Sequence, residues 1–151
     1  MKPSLTAVLF VLSACSSGAL VAPVSTPITV TGNLGSPGLE QTVTLSTSTV
    51  AVGDSVSIRS VVVNRGAEAA TVGVACWRGV GLSGVSFDPS NDQRCASISL
   101  EQLRPGDSLV ETMTTPPVTS TPGSYTLVVR QLYVESADGG VSIPVHVLGG
   151  W

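Results

Sequence analysis

From about residue 41 onward, short runs of β-branched and apolar residues alternate with turn-forming residues. Such runs predict strands, and here they lie near 42–48, 54–64, 69–76, 82–87, 96–101, 107–115, 123–134 and 140–148. The alternation is cleanest in the last run, where one face takes Val141, Ile143, Val145 and Val147 and the other takes Ser142, Pro144 and His146. Because proline cannot donate a ladder hydrogen bond, Pro144 predicts an edge strand or a bulge.

Composition favours the same class of fold. Val, Thr, Ser and Gly dominate the chain, aromatic residues make up only 4% of it, and no long stretch has helical apolar spacing. About seven or eight strands within roughly 110 residues fit one antiparallel β-sandwich. The sequence therefore predicts an all-β domain over residues 42–148, followed by a short tail over residues 149–151.

The beginning of the chain has the pattern of an export signal. Residues 5–12 form an apolar run that is too short for a permanent membrane helix but suits the core of a signal peptide. The run ends in Leu12-Ser13-Ala14-Cys15, which resembles the lipobox of bacterial lipoproteins. The resemblance implies that residues 1–14 are removed and that Cys15 carries a lipid. An ordinary secretory signal is the alternative.

Residues 15–41 are predicted to form a flexible tether. They are rich in small residues and proline, and they carry no charge before Glu40. A flexible chain of this length has a mean span of roughly 28 Å, enough to lift a domain off a membrane. The run Ile28-Thr29-Val30 leaves open an additional edge strand.

The chain has three cysteines. If Cys15 takes the lipid, Cys76 and Cys95 remain as a pair, and export places them where a disulfide can persist. A bridge that closes a loop of about 20 residues would contribute about 3 kcal/mol in the chain-entropy model. A metal site is the weaker alternative, because two cysteines and the remote His146 make an incomplete ligand set.

The late strands carry a second resemblance. The stretches Leu103-Arg104-Pro105-Gly106-Asp107 and Pro122-Gly123-Ser124-Tyr125-Thr126-Leu127 resemble the ends of bacterial immunoglobulin-like modules of the CARDB and BsuPI types, the latter named for a Bacillus proteinase inhibitor. The resemblance implies an immunoglobulin-like sandwich that binds or spaces other molecules. It also gives Tyr125 the role of a tyrosine corner, with its hydroxyl bonded back to nearby backbone.

Several other functions are disfavoured by the residues. The formal charge is −3 and the basic residues are scattered, which argues against nucleic-acid binding. Residues 79–84 spell G-x-G-x-x-G, but a strand-like run and a turn follow where a dinucleotide site needs a helix, so a flexible loop is expected. His146 is the only histidine and should point outward, and no nucleophile elbow is present. Asp88, Asn91 and Asp92 fit a turn better than a calcium loop.

Trp77 and Arg78 are the best prediction for a recognition spot, because tryptophan and arginine are enriched in binding hot spots. The expected function is therefore non-enzymatic. The sequence predicts a lipoprotein of the bacterial cell envelope that binds an envelope protein or glycan, or serves a complex as an accessory, without cofactor or metal. Ser16 after the lipidated cysteine fits the outer membrane if the host has one. The alternatives are a proteinase inhibitor that presents residues 79–94 and, less favoured, a secreted hydrolase.

Overall fold

The computed structural model describes residues 25–35, 38–74, 80–88, 99–131 and 139–150. These residues form ten strands and no helix, and nothing in this part of the chain could cross a bilayer as a helix. The strands are β1 (Ile28–Asn33), β2 (Leu39–Leu45), β3 (Thr49–Ala51), β4 (Ser57–Asn64), β5 (Ala70–Val74), β6 (Val80–Ser83), β7 (Ser99–Leu103), β8 (Ser108–Thr114), β9 (Gly123–Gln131) and β10 (Val141–Leu148). The all-β prediction is confirmed, with more strands than the seven or eight expected.

The strands form two four-stranded sheets and one smaller sheet. Sheet A has the order β1-β2-β4-β8, and sheet B has the order β3-β10-β9-β6. Strands β5 and β7 form a two-stranded sheet. All pairs are antiparallel except β3 with β10. The orders β2-β4-β8 and β6-β9-β10 match strands A-B-E and C-F-G of an immunoglobulin-like sandwich, so this expectation is confirmed.

Sheets A and B pack face to face around one large apolar cluster. Sheet A contributes Val43, Leu45, Ile58 and Met113, and sheet B contributes Val50, Leu127, Val129, Val141, Ile143, Val145 and Val147. A second cluster of Leu34, Leu39, Val62, Val72 and Leu103 joins the β5–β7 sheet to sheet A. The burial of these β-branched and aliphatic side chains is the main driving force that holds the layers together.

The sandwich begins earlier than the sequence predicted. Strand β1 pairs with β2 over six positions, from Ile28 opposite Leu45 to Asn33 opposite Glu40. Its inward side chains, Ile28 and Val30, pack against the large cluster. The domain boundary expected at residue 42 therefore lies inside β2, and residues 28–41 contain β1 and the first three residues of β2 rather than tether. Strand β1 is the additional edge strand that the sequence left open, since it ends the described sheet.

Strand β10 has the two faces that its alternation predicted, with Val141, Ile143, Val145 and Val147 buried and the residues between them exposed. It is not an edge strand, however, because β9 lies on one side and β3 on the other. The backbone N–H of His146 donates to Ser48 O at 2.8 Å, and β3 pairs only with residues 146–148. Pro144 lies two residues before His146, on the same side of β10. Strand β3 does not extend to that position, so no backbone N–H is needed there.

Tyr125 forms the predicted tyrosine corner. Its hydroxyl donates to the backbone oxygen of Thr121 at 2.8 Å, four residues upstream, and lies 3.0 Å from the Thr121 hydroxyl. The ring packs against the large cluster. The hydroxyl therefore anchors the entry into β9 while the ring contributes to the core.

Asn64 connects the two turns at one end of sheet A. It is 1% exposed, and its Nδ2 donates to Glu68 O at 2.7 Å and to Leu103 O at 2.9 Å. Its Oδ1 accepts the Gly66 N–H at 2.8 Å. Because every polar atom of this buried side chain has a partner, Asn64 stabilises both the turn after β4 and the end of β7.

We expect Asn64→Ala to lower the free energy of unfolding by about 3 kcal/mol, because it leaves three backbone groups without their partner. Urea denaturation followed by circular dichroism measures the change. Asn33→Ala, at the exposed end of β1, is the matched control and should change stability by less than about 0.5 kcal/mol. Equal losses in the two variants would show that Asn64 does not hold the turns.

Candidate functional site

The predicted site residues lie outside the described residues. They are Cys15, Cys76, Cys95, Trp77 and Arg78. The lipidation, the disulfide and the recognition spot therefore stay predictions. The described structure does, however, fix where the chain enters and leaves residues 75–79.

Residues 75–79, which we call the link, are held at both ends by one residue, Gln131. Strand β5 ends at Val74 and β6 begins at Val80. Gln131 of β9 donates from Nε2 to the backbone oxygen of Gly73 at 2.7 Å, and its backbone is paired with Val80. Strand β9 thus holds the two ends of the link that carries Trp77 and Arg78.

The described part of residues 79–84 is not the expected flexible loop. Residues 80–83 form β6 on β9, and Phe87 makes a β-bridge with Val118. Gly84 has a φ of 91°, and a Cβ there would collide with the backbone oxygen of Thr126. The G-x-G-x-x-G pattern therefore includes a close approach of two backbones, and no helix follows it in residues 80–88.

His146 lies on the exposed outer face of sheet B, as predicted. Its Nδ1 is 3.2 Å from the Ser124 hydroxyl, beside a shallow depression of about 230 Å³. The described residues that line this depression include no acidic side chain. The pair forms a hydrogen bond on the exposed face of the sheet.

A buried band of polar side chains crosses the interior between the two apolar clusters. We call Gln41, Ser60, Glu111 and Gln131 the polar layer. On each of β2, β4 and β8, the layer residue is flanked along the inward face by residues that pack with the two clusters. In these rows of alternate residues, Gln41 lies between Leu39 and Val43, Ser60 between Ile58 and Val62, and Glu111 between Leu109 and Met113.

The polar layer spans both sheets through hydrogen bonds. Gln41 Nε2 donates to the Ser60 hydroxyl at 2.9 Å within sheet A. Glu111 is the cross-strand partner of Ser60, and its Oε2 accepts from Gln131 Nε2 of sheet B at 3.1 Å. Gln41, Ser60 and Gln131 are 0%, 1% and 5% exposed, and Glu111 is half-buried. Only Glu111 among them has appreciable access to solvent.

Two oxygens of this layer have no hydrogen-bond partner among the described residues. They are Oε1 of Gln41 and Oε1 of Gln131. The amide of Gln131 has a defined orientation, because both groups that its Nε2 reaches are acceptors. Within the described chain, the layer therefore combines bonded amide nitrogens with two amide oxygens that accept no hydrogen bond.

Sequence analysis missed the polar layer. A signal was present, since Gln41, Ser60 and Glu111 each interrupt the apolar side of an alternating run. The sequence does not show that Gln41 bonds to Ser60 or that Ser60 lies opposite Glu111, because both depend on the register of β2, β4 and β8.

Comparisons with known proteins leave the function open. No family model and no curated protein matches the chain. A β-glucosidase from Listeria innocua in complex with gluconolactone is 15% identical, with a TM-score of 0.44, over 85% of this chain and 16% of that one. A β-glucosidase from Erythrobacter marinus is 12% identical, with a TM-score of 0.46, over 81% and 16%. The chain thus spans about one sixth of these enzymes, and a likeness this weak carries no conclusion about activity.

Gly84→Ala tests the close approach of the segment after β6 to β9. We expect it to destabilise the domain by at least about 2 kcal/mol more than Gly106→Ala, because a methyl group at residue 84 collides with backbone. Gly106 is the matched control, with a φ of 88° and nothing within 4 Å of a new Cβ. Thermal unfolding of both variants gives the difference. Equal destabilisation would argue that residues 80–88 are a loose loop after all.

Proposed function

We propose that this protein is a lipid-anchored lipoprotein of the bacterial cell envelope, with an immunoglobulin-like domain that binds or supports other envelope components without catalysis. The observation that carries the proposal is the position of the lipobox relative to the first strand. Between Cys15 and Ile28 lie residues 16–27, which are twelve residues rich in Ser, Ala and Pro. A flexible chain of that length spans roughly 20 Å, so the domain stays close to the membrane.

The position of β1 supports a definite orientation of the domain. Ile28, where the tether would end, lies beside Ser124 and His146 around the shallow depression. Gln131, which holds the ends of the link with Trp77 and Arg78, lies at the opposite end of β9. Nine residues of β9 separate the two ends by about 25 Å. In this proposal, the anchor and the recognition spot would lie at opposite ends of the sandwich.

This arrangement suits a partner that approaches from the side away from the membrane. The partner we propose is an envelope protein or a glycan, and in a host with two membranes the anchor lies in the outer one. The exposed Ser124–His146 pair lies beside Ile28 at the anchored end of the domain.

Cys15→Ala should abolish incorporation of an alkyne-labelled fatty acid and move the protein from the membrane fraction to the soluble fraction. Lys2 is the only lysine, so correct processing leaves at most one primary amine, the α-amine of Cys15. We therefore also expect the unprocessed variant to take up more amine-reactive dye than the wild type. Ser17→Ala is the control and should behave like the wild type. Fatty-acid labelling that survives Cys15→Ala would reject the anchor.

Trp77→Ala and Arg78→Ala should each reduce co-purification of the envelope partner at least about tenfold, as truncation of a hot-spot residue does. The measurement is quantitative mass spectrometry of complexes isolated from host membranes with a tagged chain. Leu148→Ala is the control, because Leu148 is 40% exposed and lies at the anchored end of β10. A partner lost with Leu148→Ala but kept with both other variants would place the binding surface near the membrane.

A further inference from the structure

Three polar side chains lie in one row across the outer face of sheet B, at the end of the domain where β1 begins. In the ladders of the sheet, His146 of β10 is opposite Ser124 of β9 on one side and opposite Thr49 of β3 on the other. Neighbouring strands are about 4.8 Å apart, so the row spans about 10 Å. All three residues are exposed, and all three line the shallow depression of about 230 Å³.

The hydrogen-bonding groups of this row are only partly used by the protein. Ser124 Oγ and His146 Nδ1 are 3.2 Å apart, and the three side chains make no other hydrogen bond within the described chain. The backbone N–H of Thr49 donates to Thr47 Oγ1 at 3.0 Å, and the Thr47 hydroxyl donates to Thr49 O at 2.8 Å. The backbone of β3 is thus held while the row presents two hydroxyl groups and the imidazole Nε2 to a ligand.

Apolar surface borders the row. Pro144 lies two residues before His146 on the same exposed face, and Ile28 and Tyr125 add to the border of the depression. The described lining residues carry neither a carboxylate nor an ammonium or guanidinium group. Sites for small molecules commonly combine apolar surface with a few convergent polar groups. The depression therefore suits an uncharged ligand that has both an apolar face and several hydroxyl groups.

We propose that the depression binds one ring of a neutral hexose. The C–H groups on one side of the ring would pack against Pro144, and the sugar hydroxyl groups would exchange hydrogen bonds with Thr49, Ser124 and His146. The volume limits the size of the ligand, because pockets for larger organic molecules measure about 300–1,000 Å³ and this one is smaller. It has room for one sugar ring rather than for an oligosaccharide.

A short peptide also combines apolar and polar groups, but it suits this surface less well. An extended peptide is bound mainly by backbone hydrogen bonds to the open edge of a sheet. The row instead consists of side chains on the face of a sheet, and the ladder pairs His146 on both of its sides. Side-chain hydroxyl and imidazole groups on a face match the hydroxyl groups of a sugar.

The expected affinity for a single sugar is low. A ligand of about twelve non-hydrogen atoms with ordinary binding efficiency has a dissociation constant of about 1–10 mM. A glycan that repeats the hexose, met by many copies of the domain, would bind more tightly through avidity. The site lies at the opposite end of β9 from Gln131 and the link, so it depends neither on the proposed recognition spot nor on the lipid anchor.

His146 gives a direct readout of binding, because it is the only histidine and its imidazole protons can be followed by NMR. The test titrates the full chain, in a detergent without a sugar head group and at one fixed pH, with methyl glycosides of glucose, galactose and mannose. We expect at least one of them to shift the His146 signals with half-saturation at about 1–10 mM. Glycerol, which has hydroxyl groups but no ring, should give no saturable shift.

Three results of this titration would overturn the proposal. The first is the absence of a saturable shift with all three sugars, and the second is an equal shift with glycerol. The third is a saturable shift with N-acetylalanine amide and none with the sugars, which would assign the depression to a peptide.

Variants show whether the sugar binds to the row. Thr49→Val and Ser124→Ala each remove one hydroxyl group and should weaken binding at least about fivefold. Thr126→Val is the matched control, because Thr126 is exposed on the same face, opposite Pro144, but does not line the depression. It should leave the affinity unchanged, and so should Trp77→Ala, which separates this site from the proposed recognition spot. Wild-type affinity in both Thr49→Val and Ser124→Ala would place the sugar elsewhere and overturn the assignment.

Discussion

The architecture depends on the face-to-face burial of sheets A and B. Strand β10 is central to this constraint, because its inward side chains from Val141 to Val147 are all apolar and all buried in the cluster between the two sheets. Burial between the sheets removes this apolar row from water, which favours that position. Once β10 is buried there, its polar face points outward, His146 becomes a surface residue, and β9 and β3 take the places on either side.

The interior accommodates polar side chains in two different ways. Asn64 is buried with every polar atom bonded, so it fixes the turns between β4, β7 and β8. Gln131 is bonded through its amide nitrogen and leaves its carbonyl oxygen without a partner. The first arrangement stabilises one conformation of the chain. The second leaves a buried acceptor without a partner among the described residues, which makes Gln131 a weaker contributor to stability than Asn64.

Strand β9 relates the proposed functions to one another. Its first residues lie near the end of the domain where the tether would attach, and Tyr125 anchors this entry to Thr121. Its last residue, Gln131, belongs to the polar layer and holds both ends of the link with Trp77 and Arg78. The polar layer therefore lies at the same end of the domain that we propose for partner binding. The anchor would remain about 25 Å away.

The sequence by itself determined the all-β class, the two faces of β10 and the hydrogen bond of Tyr125, because these depend on alternation and on residues close in the chain. Tertiary structure alone decided that residues 28–33 join sheet A, that β3 flanks β10, and that Gln41, Ser60 and Glu111 meet. The reason is that alternation assigns a side chain to a face but does not select the neighbouring strand. Neighbours and register come from contacts between residues far apart in the chain, and the polar layer consists entirely of such contacts.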